Sequence, residues 1–573
     1  MKNLRVEQRK IKAVFVLVCA FVLLAGVQAQ AVGVQIFING NILTMNDEQP
    51  TAEAVAVKDG KILAVGSRTD VEKAAGSGAE VVDLGGKTLM PGFIDSHSHF
   101  DLVGTKLALA NMDHPPAGPI TSIEDIMKGF REWIKEKNIK PGELVAGWGY
   151  DHTQLKEKRH PTRDDLDEIS TEHPIVLIHF SVHQAVLNSK ALEIVGFDKN
   201  TPDPEGGVIF RRPGSTEPNG MVQDAASVPV KLKVFGANYE EKMKRLLVAQ
   251  DLYISNGYTT AQDITILEAD WIKAFRQLGE KGALKLDIVG MPLDVFADDL
   301  MTNYAEDSKY HNHFRLGGVK MVLDGGSPGR SAYLREPYYV QQEGEKDFRG
   351  TAIYPDQEDV NKKVKEFYKN GWPTFLHALG DAAVDQAIAA IREAEKAYPG
   401  KERRTQIIHA QLVHEDQIEA LSHLDATVSF QIEHVFFFGD FHREQTFGPE
   451  RAERMLPAKS VLDHDISVTI HHDAPVHPVD QLHIIWTAVN RVTRSGYVLG
   501  PEERLPVIEA LKASTIYAAY QLFEEKLKGS IEPGKLADFV ILSENPLKID
   551  PMKIKDIKVL ETIKEGQTVF KKL

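Results

Sequence analysis

Short apolar runs alternating with amphipathic helical windows limit this chain more than any other feature of its sequence. Val360 to Asn370 reads as a helix before the apolar run Pro373 to Leu376, and Asp381 to Tyr398 reads as another before Thr405 to Ala410. Parallel strands need a crossover segment to bring the chain back to the same end, so this alternation argues for βα units around a parallel sheet. Functional side chains in a barrel of such units stand at the C-terminal ends of the strands.

One apolar run has a distinctive ending. Pro91-Gly92-Phe93-Ile94-Asp95-Ser96-His97-Ser98-His99 reads as a strand that closes on two histidines. Successive strand side chains point to opposite faces, so His97 and His99 project the same way and can grip one metal ion, with Asp95 on that face too. Taken alone, His-x-His is as well explained by two ordinary loop histidines. Further candidate ligands downstream tip the reading, each near the end of a short apolar run: Lys320, His377, His409 and Asp473.

The chain opens with a targeting pattern. Lys2, Arg5, Arg9, Lys10 and Lys12 form a basic start, Ala13 to Val27 an apolar stretch, and Val27-Gln28-Ala29 a small-residue cleavage site. Residues 1–29 are therefore expected to be a secretory signal peptide, and the protein to be exported, to a periplasm. The alternative is an uncleaved anchor, for which the run is short against the about 20 residues a bilayer needs. The only cysteine, Cys19, lies inside this stretch, so the mature chain is expected to hold no disulfide and no thiolate ligand.

Removal of residues 1–29 takes away five basic residues and one acidic residue, moving the formal charge from −15 to about −19. So acidic a chain, without a long Lys/Arg cluster, is expected to be a poor binder of nucleic acid or anionic membrane. A small-molecule substrate is expected, with a homo-oligomer left open. Residues 30–88 read as short strands, Gln35 to Ile38, Ala54 to Lys58, Lys61 to Val65 and Glu80 to Asp83, with Asp59-Gly60 as a hairpin turn. A β-rich tail follows Gly529 to Val540, so 30–88 and 525–573 are expected to form one composite β-sandwich. The gap from His99 to Lys320 exceeds one strand, helix and loop, which places an insertion at 105–240 between the barrel segments 89–104 and 241–524.

These motifs together resemble the metal-dependent amidohydrolase superfamily over the whole mature chain. Gly147-Trp148-Gly149-Tyr150-Asp151-His152-Thr153, Pro161 to Asp167, and His377-Ala378-Leu379-Gly380-Asp381 are similar to its YtcJ-type subgroup, amidohydrolase family 3. The resemblance implies an α/β fold: a distorted (β/α)8 TIM barrel, the composite sandwich, and an insertion after the first barrel strand. This chain departs from the subgroup at His471-His472 before Asp473, at Gln431-Ile432 before His434, and at Gly326 to Arg330 after the Lys320 segment, so substrate preference does not transfer.

Imidazole and carboxylate ligands suit Zn2+, and one or two ions per chain are expected. His97 and His99 would hold the first, His377 and His409 the second, with Asp473 on the first. A metal-bound water near neutral pKa would attack, and Asp473 would shuttle its proton to the leaving group. His377 in Phe-Leu-His-Ala and His409 in Ile-Ile-His-Ala each read, in isolation, as buried core histidines. Lys320 is either carboxylated into a metal bridge or an unmodified lysine paired with Asp324 or another acid. Asp151, His152, His179, His183 and Arg330 either reach the pocket or are structural, and Asp151, His183, Arg330 and His434 are the substrate-binding candidates. Val435 to Phe438 with Phe441 reads as core that partly lines the site. The expected activity is hydrolysis of a C–N bond, an amide or N-acyl linkage. The alternatives are cyclic amides, carbamates or a C=N group, or a non-catalytic binding protein on the same fold.

Overall fold

Nine short strands, all parallel to their neighbours, carry the middle of the chain in a computed structural model that describes residues 33–152, 154–204, 207–341 and 345–572. The expected leader, residues 1–29 with Cys19, lies outside the described residues. Strands β1 (Phe93–Ile94), β2 (Tyr258–Ile266), β3 (Asp287–Pro292) and β4 (Phe314–Leu316) form one sheet. Strands β5 (Val319–Val322), β6 (Thr374–Ala378), β7 (Thr405–His409), β8 (Ala426–Phe430) and β9 (Val468–Ile470) form a second, paired in chain order.

The two sheets meet at both margins. A parallel bridge joins Leu293 to Lys320, and Ser96 Oγ donates to the Ile470 carbonyl at 3.3 Å. β4 and β5 are one path broken at Gly317-Gly318. Gly318 has φ +154°, and a Cβ there would fall 2.3 Å from the Pro373 carbonyl, so only glycine allows the chain to pass from one sheet to the other.

Both faces of these strands are covered, which is why they read as unbroken apolar runs: every residue of β3 and β7 is buried. Each large apolar side chain so buried contributes about 1.5–3 kcal/mol. The helix Gln357–Asn370 starts on Asp356, whose carboxylate accepts from Glu358 N–H, and stops at Gly371 in the left-handed region. Its Val360, Val364 and Phe367 share one face and are buried.

Between β1 and β2 the chain forms a separate six-stranded sheet, in the order Gly207–Arg211, Pro218–Asp224, Gln184–Leu187, Ile175–His179, Val145–Tyr150, Ala110–Asn111. The chain leaves the parallel array through helix Phe100–Leu107 and returns through helix Tyr239–Ser255. These two helices touch at Gly104, where a Cβ would meet the Arg245 carbonyl at 2.2 Å.

The chain ends pair with each other. Thr88–Pro91 runs antiparallel to Phe539–Leu542, with Pro91 opposite Phe539. The early strands fall at Gln35–Ile38, Ala54–Lys58, Lys61–Gly66 and Glu80–Asp83, and Asp59 and Gly60, both at positive φ, form the turn expected between the middle two. Among the described residues no helix is long and apolar enough to cross a membrane. The fold is mixed α/β.

Candidate metal centre

β1 ends at Ile94, so His97 and His99 lie in a bend beyond the strand rather than on it. Asp95 makes that bend. Its carboxylate accepts the N–H of His97 at 3.1 Å and of Gln262 at 3.2 Å, and takes the Ser98 hydroxyl, which in turn accepts from Tyr253 Oη at 2.7 Å. Asp95 therefore shapes the loop instead of facing the ligands, contrary to the alternation expected of a strand. The two histidines still converge: His97 Nε2 and His99 Nε2 stand 3.1 and 3.3 Å from Asp473 Oδ1. Thr265 Oγ1, 2.5 Å from His99 Nδ1, fixes the orientation of that ring.

The remaining imidazoles come from the second sheet. His377 on β6 and His409, the last residue of β7, have ring centroids 4.4 Å apart, and His409 is 5.0 Å from His97. His471, just past β9, completes the cluster with Nε2 3.3 Å from His409 Nδ1 and Nδ1 2.7 Å from Ser429 Oγ. One donor atom each from His97, His99 and Asp473, and likewise from His97, His409 and His471, falls within 4.8 Å of its fellows. Asp324 stands behind His377, 3.2 Å from its Nδ1, and accepts the N–H groups of Leu379, Gly380 and Tyr333.

Lys320 is buried on β5, and its Nζ has no hydrogen-bond partner among the described residues. Burial pushes this amine down to about 7, against a partly opposing pull from Asp473. Burial likewise lowers His97, His409 and His471 well below the usual imidazole range, leaving them neutral, the form that ligates. Burial alone would raise the Asp473 carboxyl. The imidazoles of His97, His99 and His409 outweigh it and hold Asp473 ionised, well below the usual carboxylate range.

This set fits a divalent ion. Two ligands about 2.0–2.1 Å from one zinc at tetrahedral angles stand roughly 3.3–3.4 Å apart, close to the observed 3.1 and 3.3 Å from Asp473 to His97 and His99. Both nitrogens thus crowd the same carboxylate oxygen, as donors sharing an ion would. The model of the amidohydrolase family matches residues 80–570. The chain belongs to the amidohydrolase family.

It is 28% identical over 560 residues to the amidohydrolase-family protein YtcJ of Bacillus subtilis, covering 94% of this chain and 99% of that one. It is 27% identical over 541 residues to the N-substituted formamide deformylase of Arthrobacter pascens, covering 92% and 97%. A crystal structure of a metal-dependent hydrolase from Pyrococcus horikoshii superimposes with a TM-score of 0.74 at 25% identity, covering 90% of this chain and 99% of that one.

The other candidate residues have partners of their own, and His434 is near enough to feel the charge of Asp473 and to act on His471. Asp151 is buried beside His152 and His179, just past the end of the strand Val145–Tyr150. His183 is exposed and bonds Asp224 through Nδ1 at 3.0 Å. Arg330 binds the Val340 carbonyl and Glu345 and lies over Tyr338, so its guanidinium holds its own loop together. His434 is buried, pushed down to about 4 by burial, and its Nδ1 turns to Gln411 and His442. His471 and Thr265 are members of the site that pattern reading passed over. His471 had a signal, being two residues before Asp473; Thr265 had none.

Proposed function

We propose that this amidohydrolase cleaves the C–N bond of a small amide or N-acyl compound, by attack of water at the centre formed by His97, His99, Lys320, His377, His409 and Asp473. The convergence of both imidazoles of the Asp95–His99 bend on one Asp473 oxygen carries this reading. When bound, a divalent ion, zinc by the nature of the donors, supplies Lewis acidity and acidifies a water. Asp473, held ionised, accepts the proton released on attack and passes it to the leaving nitrogen. Lys320, brought down to about 7 so that much of it is neutral at neutral pH, and with no hydrogen-bond partner among the described residues, suits carboxylation to a metal ligand.

The two parallel sheets make one distorted (β/α)8 barrel in this reading, formed by 89–104 and 241–524. The insertion 105–240 covers its rim, and 30–88 with 525–573 make the composite sandwich. Residues 1–29 direct export to a periplasm. The relationship to an N-substituted formamide deformylase over nearly its whole length favours acyclic N-acyl substrates, N-formyl amines among them, over ring opening or deamination.

A hydrolysis screen tests the reading. Purified protein with Zn2+ is offered N-formyl amines, N-acyl amino acids, hydantoins, carbamates, amidines and esters, and released amine or acid is quantified. Amine release from acyclic amides is expected. Turnover confined to cyclic amides, C=N groups or esters would replace the proposed substrate class, and metal-loaded protein inert on all of them would favour the binding-protein alternative.

A further inference from the structure

A second convergence of nitrogen and carboxylate donors lies outside the centre described above. His152 follows the strand Val145–Tyr150 and His179 closes its parallel neighbour Ile175–His179, so both imidazoles stand at the same end of the insertion sheet. His152 Nδ1 is 3.3 Å from His179 Nε2 and 4.0 Å from Asp151 Oδ1. One donor atom from each of the three lies within 4.8 Å of the others. We propose that Asp151, His152 and His179 form a second metal site, for a divalent transition ion of the zinc class, on the insertion.

The separation of the two nitrogens is the first argument. It equals the roughly 3.3–3.4 Å edge expected between two ligands of a tetrahedral zinc. A shared proton holds two imidazoles at a similar distance, so the tautomer of His179 decides between the two. Ser181 Oγ lies 2.8 Å from His179 Nδ1, and when Nδ1–H donates to that hydroxyl, Nε2 offers its lone pair to an ion. Ser181 N–H also points at Nδ1, from 3.3 Å, which favours the shared-proton form when no ion is bound. Ion binding would therefore go with a change of His179 tautomer, the proton leaving Nε2 and Nδ1 taking one to donate to Ser181 Oγ.

The surroundings hold the donors in place. The strand before Asp151 is bulged at Gly149, where φ is +124° and a Cβ would fall 2.0 Å from Asp113 Oδ1. Only glycine permits that bulge, and it re-aims the residues that follow. His160 stacks on His152 at 3.8 Å and is anchored by Tyr150 Oη, 3.0 Å from its Nδ1. Burial lowers His152 and His179, so both rings are neutral and competent to ligate.

The position gives the site a use. Phe180 packs on Phe438 of helix His434–Phe441, with 6.0 Å between ring centroids, so this end of the sheet sits against the helix whose His434 feels the charge of Asp473. Asp151 and Asp440 both act on Arg494 nearby and offset its charge. Three protein ligands leave a fourth position open, and an anionic oxygen of a substrate, such as a carboxylate, is the class of group it would take.

Chelator-stripped full-length protein is titrated with Zn2+ by equilibrium dialysis, next to the double variant His152→Ala/His179→Ala and the single variant His152→Asn. The double variant is expected to bind one equivalent per chain fewer than wild type while keeping the tight equivalent that His97→Ala/His99→Ala removes. His152 is part-exposed, so His152→Asn keeps the fold, and it is expected to weaken the last equivalent at least tenfold. Equal stoichiometry in the double variant with an unchanged circular dichroism spectrum, or unchanged affinity in His152→Asn, overturns the site.

Discussion

His97 Nε2 stands 3.1 Å from Asp473 Oδ1, although one residue follows the first strand of the parallel array and the other follows the last. An ion held there ties the two ends of the array together. The double variant His97→Ala/His99→Ala is therefore expected to lose its tightly bound metal and, with it, the ion's contribution to thermal stability. Metal analysis after gel filtration checks this, and full occupancy in the variant would refute the ligand assignment.

Asp473 adopts φ +56°, a left-handed conformation that asparagine tolerates and most other residues resist. Asp473→Asn should keep the backbone while removing the proton acceptor. A positioned proton-transfer group typically contributes about 10²- to 10⁴-fold. The expected outcome is a fall in kcat of at least roughly 10²-fold with KM little changed, since the contribution is made in the transition state. Measuring kcat and melting temperature on one preparation separates this from a merely structural role. Near-normal kcat would remove Asp473 from the mechanism.

Lys320 Nζ is buried with no hydrogen-bond partner among the described residues, and Asp324, one acid it was expected to pair with if unmodified, is occupied by three backbone N–H groups. Lys320→Ala is expected to lose metal and activity together. Short-chain carboxylic acids added with metal should restore part of both if a carbamate normally fills that space. Wild-type activity in the alanine variant would sink the assignment.

At the opposite ends of the strands a buried charge network secures the fold. Lys564 Nζ lies 2.8 Å from both Asp287 and Asp538, and Asp287 also meets Lys528 and His313. Burial would raise the Asp287 carboxyl, but Lys528, Lys564 and His313 hold it well below its usual value. Removing one partner of a buried pair costs about 3–5 kcal/mol. Lys564→Met should therefore lower the melting temperature clearly at pH 7. The unfolded carboxyl titrates near about 3.9 and the native one lower, so the unfolded chain binds more protons as pH falls. The stability from Asp287 is thus present above about pH 4–5 and lost as pH drops through its native value, and the gap between wild type and variant should narrow in acid. Equal melting temperatures at pH 7 would remove the network from the stability of this fold.

Features encoded in a few neighbouring residues were legible in the chain alone. The Asp59-Gly60 turn, the strands around it and the helix ending at Asn370 follow from periodicity and turn chemistry, which are local, whereas the candidate donors His97, His99, His377, His409 and Asp473 were singled out only by their order along the chain and the family resemblance. Tertiary structure decided what those residues face. It ended β1 at Ile94 and let Asp95 bond the His97 N–H, so a bend rather than strand alternation aims the two histidines. It brought His471 and Thr265 to the cluster, turned Arg330 toward Glu345, and set His152 against His179 through the pairing of two insertion strands. Asp287, Lys528 and Lys564 meet for the same reason. Side-chain direction is a property of a residue and its near neighbours, whereas which strand ends lie together depends on burying apolar faces from distant parts of the chain, and no short spacing records that.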